Sequence, residues 1–250
     1  MIRTDVLGVR FDDRTVDEAV SQACEIIRGD KKAYIVTPNP EIVLICRHHR
    51  ELHAAINGAD LVLPDGIGII LGARILGTPL SCGRVPGIEF AAALFDKMAE
   101  FNGSVFLLGS KPGVAEEAGE ILKEKYPGLI IVGTRDGYFT DDEQVIAQIN
   151  GVNPDLLLVC LGAPKQELWM ARHIGRLNTR LCAGLGGSLD VFAGKVKRAP
   201  IFFQRFGLEW FYRLICEPRR IKRMIKLPLF VLVVIGKRIC SIWRIKHNIG

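Results

Sequence analysis

The sequence predicts an α/β fold built on a parallel sheet, and three observations point to it. Short apolar runs of strand length alternate with longer stretches of helical periodicity through the first 194 of the 250 residues. These runs end in clusters of glycine, proline and polar side chains, as strand-to-helix turns do. Composition is ordinary for a globular chain, with 49% hydrophobic and 24% charged residues, which argues against disorder.

Residues 1 to 5 lead straight into an amphipathic stretch without the cationic, apolar and small-residue order of a secretory leader, so the expectation is a cytoplasmic body. Val16, Ala19, Val20, Ala23, Ile26 and Ile27 then fall at helical spacing, predicting a helix over 15–28. A strand over 33–37 follows, stopped by Pro38. Further strands are expected at 59–63, 104–108, 129–133, 156–161 and 180–185, with helices in the gaps. Seven cysteines occur without a CxxC pair, several in apolar runs, which fits reduced buried thiols better than a disulfide framework or a zinc site.

Charge divides the chain. Residues 195–250 hold fourteen Lys/Arg against Glu209 and Glu217, a net +12, so the preceding 194 residues carry −6 within the total of +6. The expected boundary lies near Lys195 to Pro200, giving a Rossmann-like domain over 1–194 and a basic appendage over 195–250. The cations are interleaved with Phe202, Phe203, Phe206, Trp210, Phe211, Tyr212 and Trp243, and residues 227–235 form a nine-residue run without charge. Nine residues fall short of the roughly 20 that span a bilayer. A helical segment lying on an anionic membrane surface is therefore expected, rather than a nucleic-acid module. The other reading of this tail is packing on the main domain or on a second subunit.

In an open α/β sheet, ligands gather beyond the carboxyl ends of the strands. Unusual residues collect there in this sequence. Thr37-Pro38-Asn39-Pro40-Glu41 presents a hydroxyl and an amide between fixed prolines, or a turn and helix cap. In Pro64-Asp65-Gly66-Ile67-Gly68 the carboxylate suits a general base or, as such patterns more commonly resolve, a helix cap. Arg84-Val85-Pro86-Gly87 and Gly109-Ser110-Lys111-Pro112-Gly113 pair a cation with a turn able to receive phosphate. Gly162-Ala163-Pro164-Lys165-Gln166-Glu167 and Gly186-Gly187-Ser188-Leu189-Asp190 complete the set, the last with a carboxylate able to bind a ribose or sugar hydroxyl or to cap a helix. Gly66-Ile67-Gly68-Ile69-Ile70-Leu71-Gly72 is a near miss to a dinucleotide fingerprint, with the wrong spacing and after the wrong strand.

The segments TPNPE, LPDGIG, RVPG, LLGSKPG, GAPKQE and GGSLDVFAG, in this order and spacing, resemble the WecG/TagA/CpsF glycosyltransferases over almost the whole chain, the TagA branch above all. The resemblance implies a Rossmann-like domain of the GT-E type with a C-terminal helical, membrane-binding appendage. It also implies an inverting enzyme that moves N-acetylmannosamine from UDP to the 4-hydroxyl of N-acetylglucosamine on undecaprenyl diphosphate, in wall teichoic acid linkage-unit synthesis. Related donors within the family are N-acetylmannosaminuronic acid and glucose. Asp65 becomes the implied catalytic base. The resemblance also implies that Thr37 and Asn39 line the sugar pocket, with Gln166 and Glu167 near the nucleotide sugar. Arg84, Gly87, Gly109, Lys111, Gly162, Pro164, Gly186 and Asp190 are the remaining expected substrate contacts. Arg213, Arg220 and Arg223 match the appendage arginines, expected at the lipid diphosphate or the membrane. With no DxD pair at a strand end, neither metal nor cofactor is expected. The expected partners are a UDP-sugar, the polyprenyl-linked acceptor and the anionic inner face of the cell membrane, with self-association off it.

Overall fold

The computed structural model describes residues 3–200, 202–203, 208–216 and 225–247. Its centre is a six-stranded sheet, every pairing parallel: β3 (Ala33–Val36), β4 (Leu61–Val62), β5 (Ser104–Gly109), β6 (Ile130–Arg135), β7 (Leu156–Cys160) and β8 (Leu181–Gly184), in spatial order β4-β3-β8-β7-β5-β6. All six expected strands are present. Alternate residues feed opposite cores: Leu156 and Leu158 point to one face, Leu157 and Val159 to the other. Helices α1 (Val16–Arg28), α5 (Gly87–Ala99), α6 (Val114–Lys125) and α9 (Ser188–Phe192) cover the first face. The second is covered by α2 (Pro40–Cys46), α3 (Arg50–Asn57), α4 (Ile67–Leu76), α7 (Asp142–Val152) and α8 (Lys165–His173). The expected first helix is α1, begun by a Thr15/Glu18 capping box.

The sequence reading misses an antiparallel hairpin, β1 (Arg3–Val6) and β2 (Val9–Asp12). Its two-residue turn puts Leu7 at φ 56° and Gly8 at φ 95°, the left-handed pair that matches strand twist. Asp12 fastens the hairpin to the sheet edge, accepting from Val62 N at 2.8 Å and from Arg3 Nε at 3.0 Å.

Among the described residues, the α/β body is followed by helices α10 (Glu209–Cys216) and α11 (Lys226–His247). No helix among the described residues is long and apolar enough to cross a membrane. The uncharged run 227–235 lies inside α11, which packs on α2 and α4 and buries Phe230 and Val234 completely. Glycines on α4 admit it: a Cβ at Gly68 would stand 2.6 Å from Leu227 Cδ1, and one at Gly72 would stand 2.8 Å from Phe230 Cε1. Lys226 Nζ donates to Glu41 Oε1 (2.8 Å) and Arg238 Nη1 to Leu76 O (3.1 Å), fixing both ends of the contact. The glycine spacing that mimics a dinucleotide motif thus serves helix packing.

Gly72→Leu should overpack this seam at a cost of about 1–3 kcal/mol. Calorimetry should then show a lower Tm, and trypsin should cut the C-terminal helix sooner. Unchanged Tm and cleavage would contradict the docking.

Candidate active site

Hydrogen bonds between loops draw the carboxyl ends of β3, β4, β5, β7 and β8 into one polar surface. Thr37, buried, donates from Oγ1 to Gly184 O at 3.2 Å. Gly87, the first residue of α5, lies against both neighbours: a Cβ there would be 3.3 Å from Thr37 Oγ1 and from Leu185 Cδ2. Asp65 N donates to Pro38 O (3.3 Å) and Val85 N to Pro64 O (2.8 Å), so the TPN, PDG and RVPG loops are laced side by side.

A second group of contacts holds the other half. Gly109, at φ 134°, brings the end of β5 so close to β7 that a Cβ would sit 2.3 Å from Cys160 O. Ser110 N then donates to Cys160 O (3.1 Å), and Ser110 Oγ to Asp190 Oδ1 (2.8 Å). Buried Gln166 joins the GAPKQE and GGSLD loops: its Oε1 accepts from Gly186 N (3.0 Å) and its Nε2 donates to Glu167 Oε1 (2.9 Å), while its own N donates to Gly162 O (3.0 Å). Glu167 is buried, and its Oε2 has no hydrogen-bond partner. Burial pushes its carboxyl above the usual range, against the opposing hydrogen bond from Gln166.

Most helix starts at this surface are without a side-chain cap. α1, α2, α3 and α7 are capped by the side chains of Thr15, Asn39, His49 and Asp141. Of the helices that begin in the site loops, α2 is capped by Asn39, whereas α4, α5, α6, α8 and α9 have no side-chain cap at their N-cap residues Gly66, Pro86, Gly113, Pro164 and Gly187. Amide N–H groups at such ends suit an anion.

Most of the expected residues therefore meet. Asp65 is part-exposed and does not cap α4, because Gly66 takes that position at φ 89°. The commoner outcome of the PDG pattern is thereby set aside. Asn39 does act as a cap, its Oδ1 accepting from Ile42 N at 3.1 Å. Asp190 binds Ser110 instead of capping α9. Lys111 is exposed on the loop after β5, beside Ser110. Arg84 Nη1 donates to Glu209 Oε2 at 2.5 Å, which joins α10 to the RVPG loop. Arg220 and Arg223 lie outside the described residues, as does the side chain of Arg213. Sequence reasoning assigned no role to Ser110, Arg198 or Glu209. The signal for Glu209 was its rarity, as one of two acids in the basic tail.

Known proteins are similar to this chain over most of its length. The glycosyl transferase WecG/TagA/CpsF family matches residues 4–242. A Bacillus spizizenii protein named N-acetylglucosaminyldiphosphoundecaprenol N-acetyl-beta-D-mannosaminyltransferase is 40% identical over 206 residues, covering 82% of this chain and 80% of its own. A Staphylococcus aureus (strain MRSA252) protein of the same name is 35% identical over 232 residues, covering 92% and 91%. With a match across nearly its whole length, the chain belongs to the WecG/TagA/CpsF family of glycosyltransferases.

Proposed function

We propose that this protein is the N-acetylmannosaminyltransferase that builds the wall teichoic acid linkage unit. It moves the sugar from UDP-N-acetylmannosamine to the 4-hydroxyl of N-acetylglucosamine on undecaprenyl diphosphate, with inversion. Substrate identity is supported by relatives of that name at 35–40% identity over most of both chains. The chemistry is carried by one observation: Asp65, just before the N-cap residue Gly66 of α4, stands on a loop laced to Thr37's loop and to Arg84's.

In the transfer, Asp65 takes the proton of the acceptor hydroxyl as its oxygen bonds to the anomeric carbon. The bond to UDP breaks on the opposite face. A single carboxylate suffices. Charge growing on the leaving diphosphate is met by Arg84, Lys111 and the uncapped amide ends of the site helices, without a metal or other cofactor, and by Arg213, Arg220 and Arg223 of the tail. Thr37 and the amide of Asn39 face the sugar, with Gly87 leaving room beside Thr37. Asp190 is placed for the ribose. Gln166 acts through the Gly162–Pro164 and Gly186 loops that it holds, and Glu167 through its hydrogen bond with Gln166.

The enzyme works at the inner face of the cell membrane, attached peripherally through the tail, and self-associates off it. Beside the +12 charge, α11 turns Leu229, Leu232, Ile239 and Trp243 outward, with Leu232 66% and Trp243 61% exposed, while its opposite face is buried. An apolar stripe between cations suits an anionic bilayer.

Incubation with a panel of UDP-sugars and a lipid-diphosphate-GlcNAc acceptor should release UDP fastest from UDP-N-acetylmannosamine; preference for another donor would redirect the assignment within the family. In that assay Asp65→Asn should lower turnover by about 10² to 10⁴ with UDP affinity kept. Activity within tenfold of wild type would reject the base. Leu232→Glu with Ile239→Glu should abolish sedimentation with phosphatidylglycerol vesicles while leaving the Tm near wild type, and undiminished binding would refute the membrane face.

A further inference from the structure

The cation expected to meet the diphosphate is already occupied. Arg84 Nη1 is 2.5 Å from Glu209 Oε2, and each side chain is only 20% exposed. Glu209 opens α10, so this pair links the site to the tail. The other oxygen of Glu209, Oε1, stands 3.8 Å from Arg198 Nε, too far for a hydrogen bond. Arg198 Nε is buried and has no hydrogen-bond partner among the described residues, while Arg198 Nη2 donates to Glu89 on α5. Among the described residues, two cations and two carboxylates thus form a chain, with Arg198 Nε a donor without a hydrogen bond beside the carboxylate that faces Arg84.

An arginine already neutralised at contact is a poor receptor for a diphosphate, which would lie beside the Glu209 charge. Withdrawing Arg84 from Glu209 would in turn strand a largely buried carboxylate. Arg198 removes that obstacle: closing its gap to a charge-assisted hydrogen bond takes a shift of about 1 Å.

We propose that Glu209 and Arg198 are positioning residues of the donor site, exchanging partners as the sugar nucleotide binds. Glu209 holds Arg84 while the site is empty. When the diphosphate takes Arg84, Glu209 passes to Arg198 Nε, and occupancy of the site is coupled to the seat of α10. This rests on the reading of Arg84 as a diphosphate ligand.

Calorimetric titration of the full chain with UDP and with uridine, at low ionic strength, tests it. Glu209→Gln should bind UDP roughly three- to tenfold more tightly, with uridine unchanged. Glu209→Ala should change affinity in the same direction. Arg198→Lys, which keeps the charge but lacks Nε, should weaken UDP binding, and that loss should vanish in the Glu209→Gln background. A purely structural role would weaken UDP and uridine together and would persist in the double variant. Equal or weaker UDP binding by both Glu209 variants, or an Arg198→Lys loss that survives Glu209→Gln, overturns the exchange. Arg84→Met separates the two readings. It should erase the preference for UDP over uridine. If the preference survives, Arg84 is not a diphosphate ligand and the exchange falls with it; if it is lost while the Glu209 variants fail, the exchange alone is wrong.

Discussion

At Gly109 the ends of two parallel strands come so close that no side chain fits between them. The φ of 134° and the 2.3 Å that would separate a Cβ from Cys160 O leave glycine as the only residue for the position. That approach lets Ser110 bond both the backbone of β7 and Asp190, with its own φ at 61°. Gln166 and Thr37 carry the connection on to β8 and β3. The strand ends thus act as a single framework, and the loops above it can place polar groups and uncapped helix ends together because the apolar sheet beneath is fixed.

Strands buried on both faces read as apolar runs, and for that reason all six are visible in the sequence. The hairpin is not, since its turn is Leu7-Gly8 instead of an Asn-Gly pair, and its apolar residues Val6, Val9 and Phe11 mix two spacings. Gathering of the site motifs at strand ends is legible because turn chemistry is local. Asp65 could not be resolved between base and cap without the backbone at Gly66, which decides where α4 begins. Gly68 and Gly72 acquire their meaning from Leu227 and Phe230, more than 150 residues away, a contact that no local pattern encodes. The partnership of Glu209 with Arg84 is equally non-local, and in the sequence it shows only as an acid out of place.

Of the two ideas that the sequence left open, the tail packs on the body, and the proposed function adds attachment to a surface. One face of α11 closes over α2 and α4, and the other remains apolar and exposed among cations. Through α10 the same segment reaches the loop that carries Arg84. Under the proposed function, a substrate with a water-soluble half and a lipid-bound half would suit such a division, the sheet edge receiving the nucleotide and the helices meeting the bilayer.

Hydrogen–deuterium exchange of the full chain with and without UDP tests most directly whether the nucleotide sits at the carboxyl edge of the sheet. Protection should appear at residues 109–113, 162–166 and 184–190. A cleft of about 250 Å³ at the amino edge, lined by Lys32, Asn153, Asn178, Thr179 and Arg180, offers the contrasting location with cations of its own. Protection around residues 178–180, with the strand-end loops unchanged, would contradict the site.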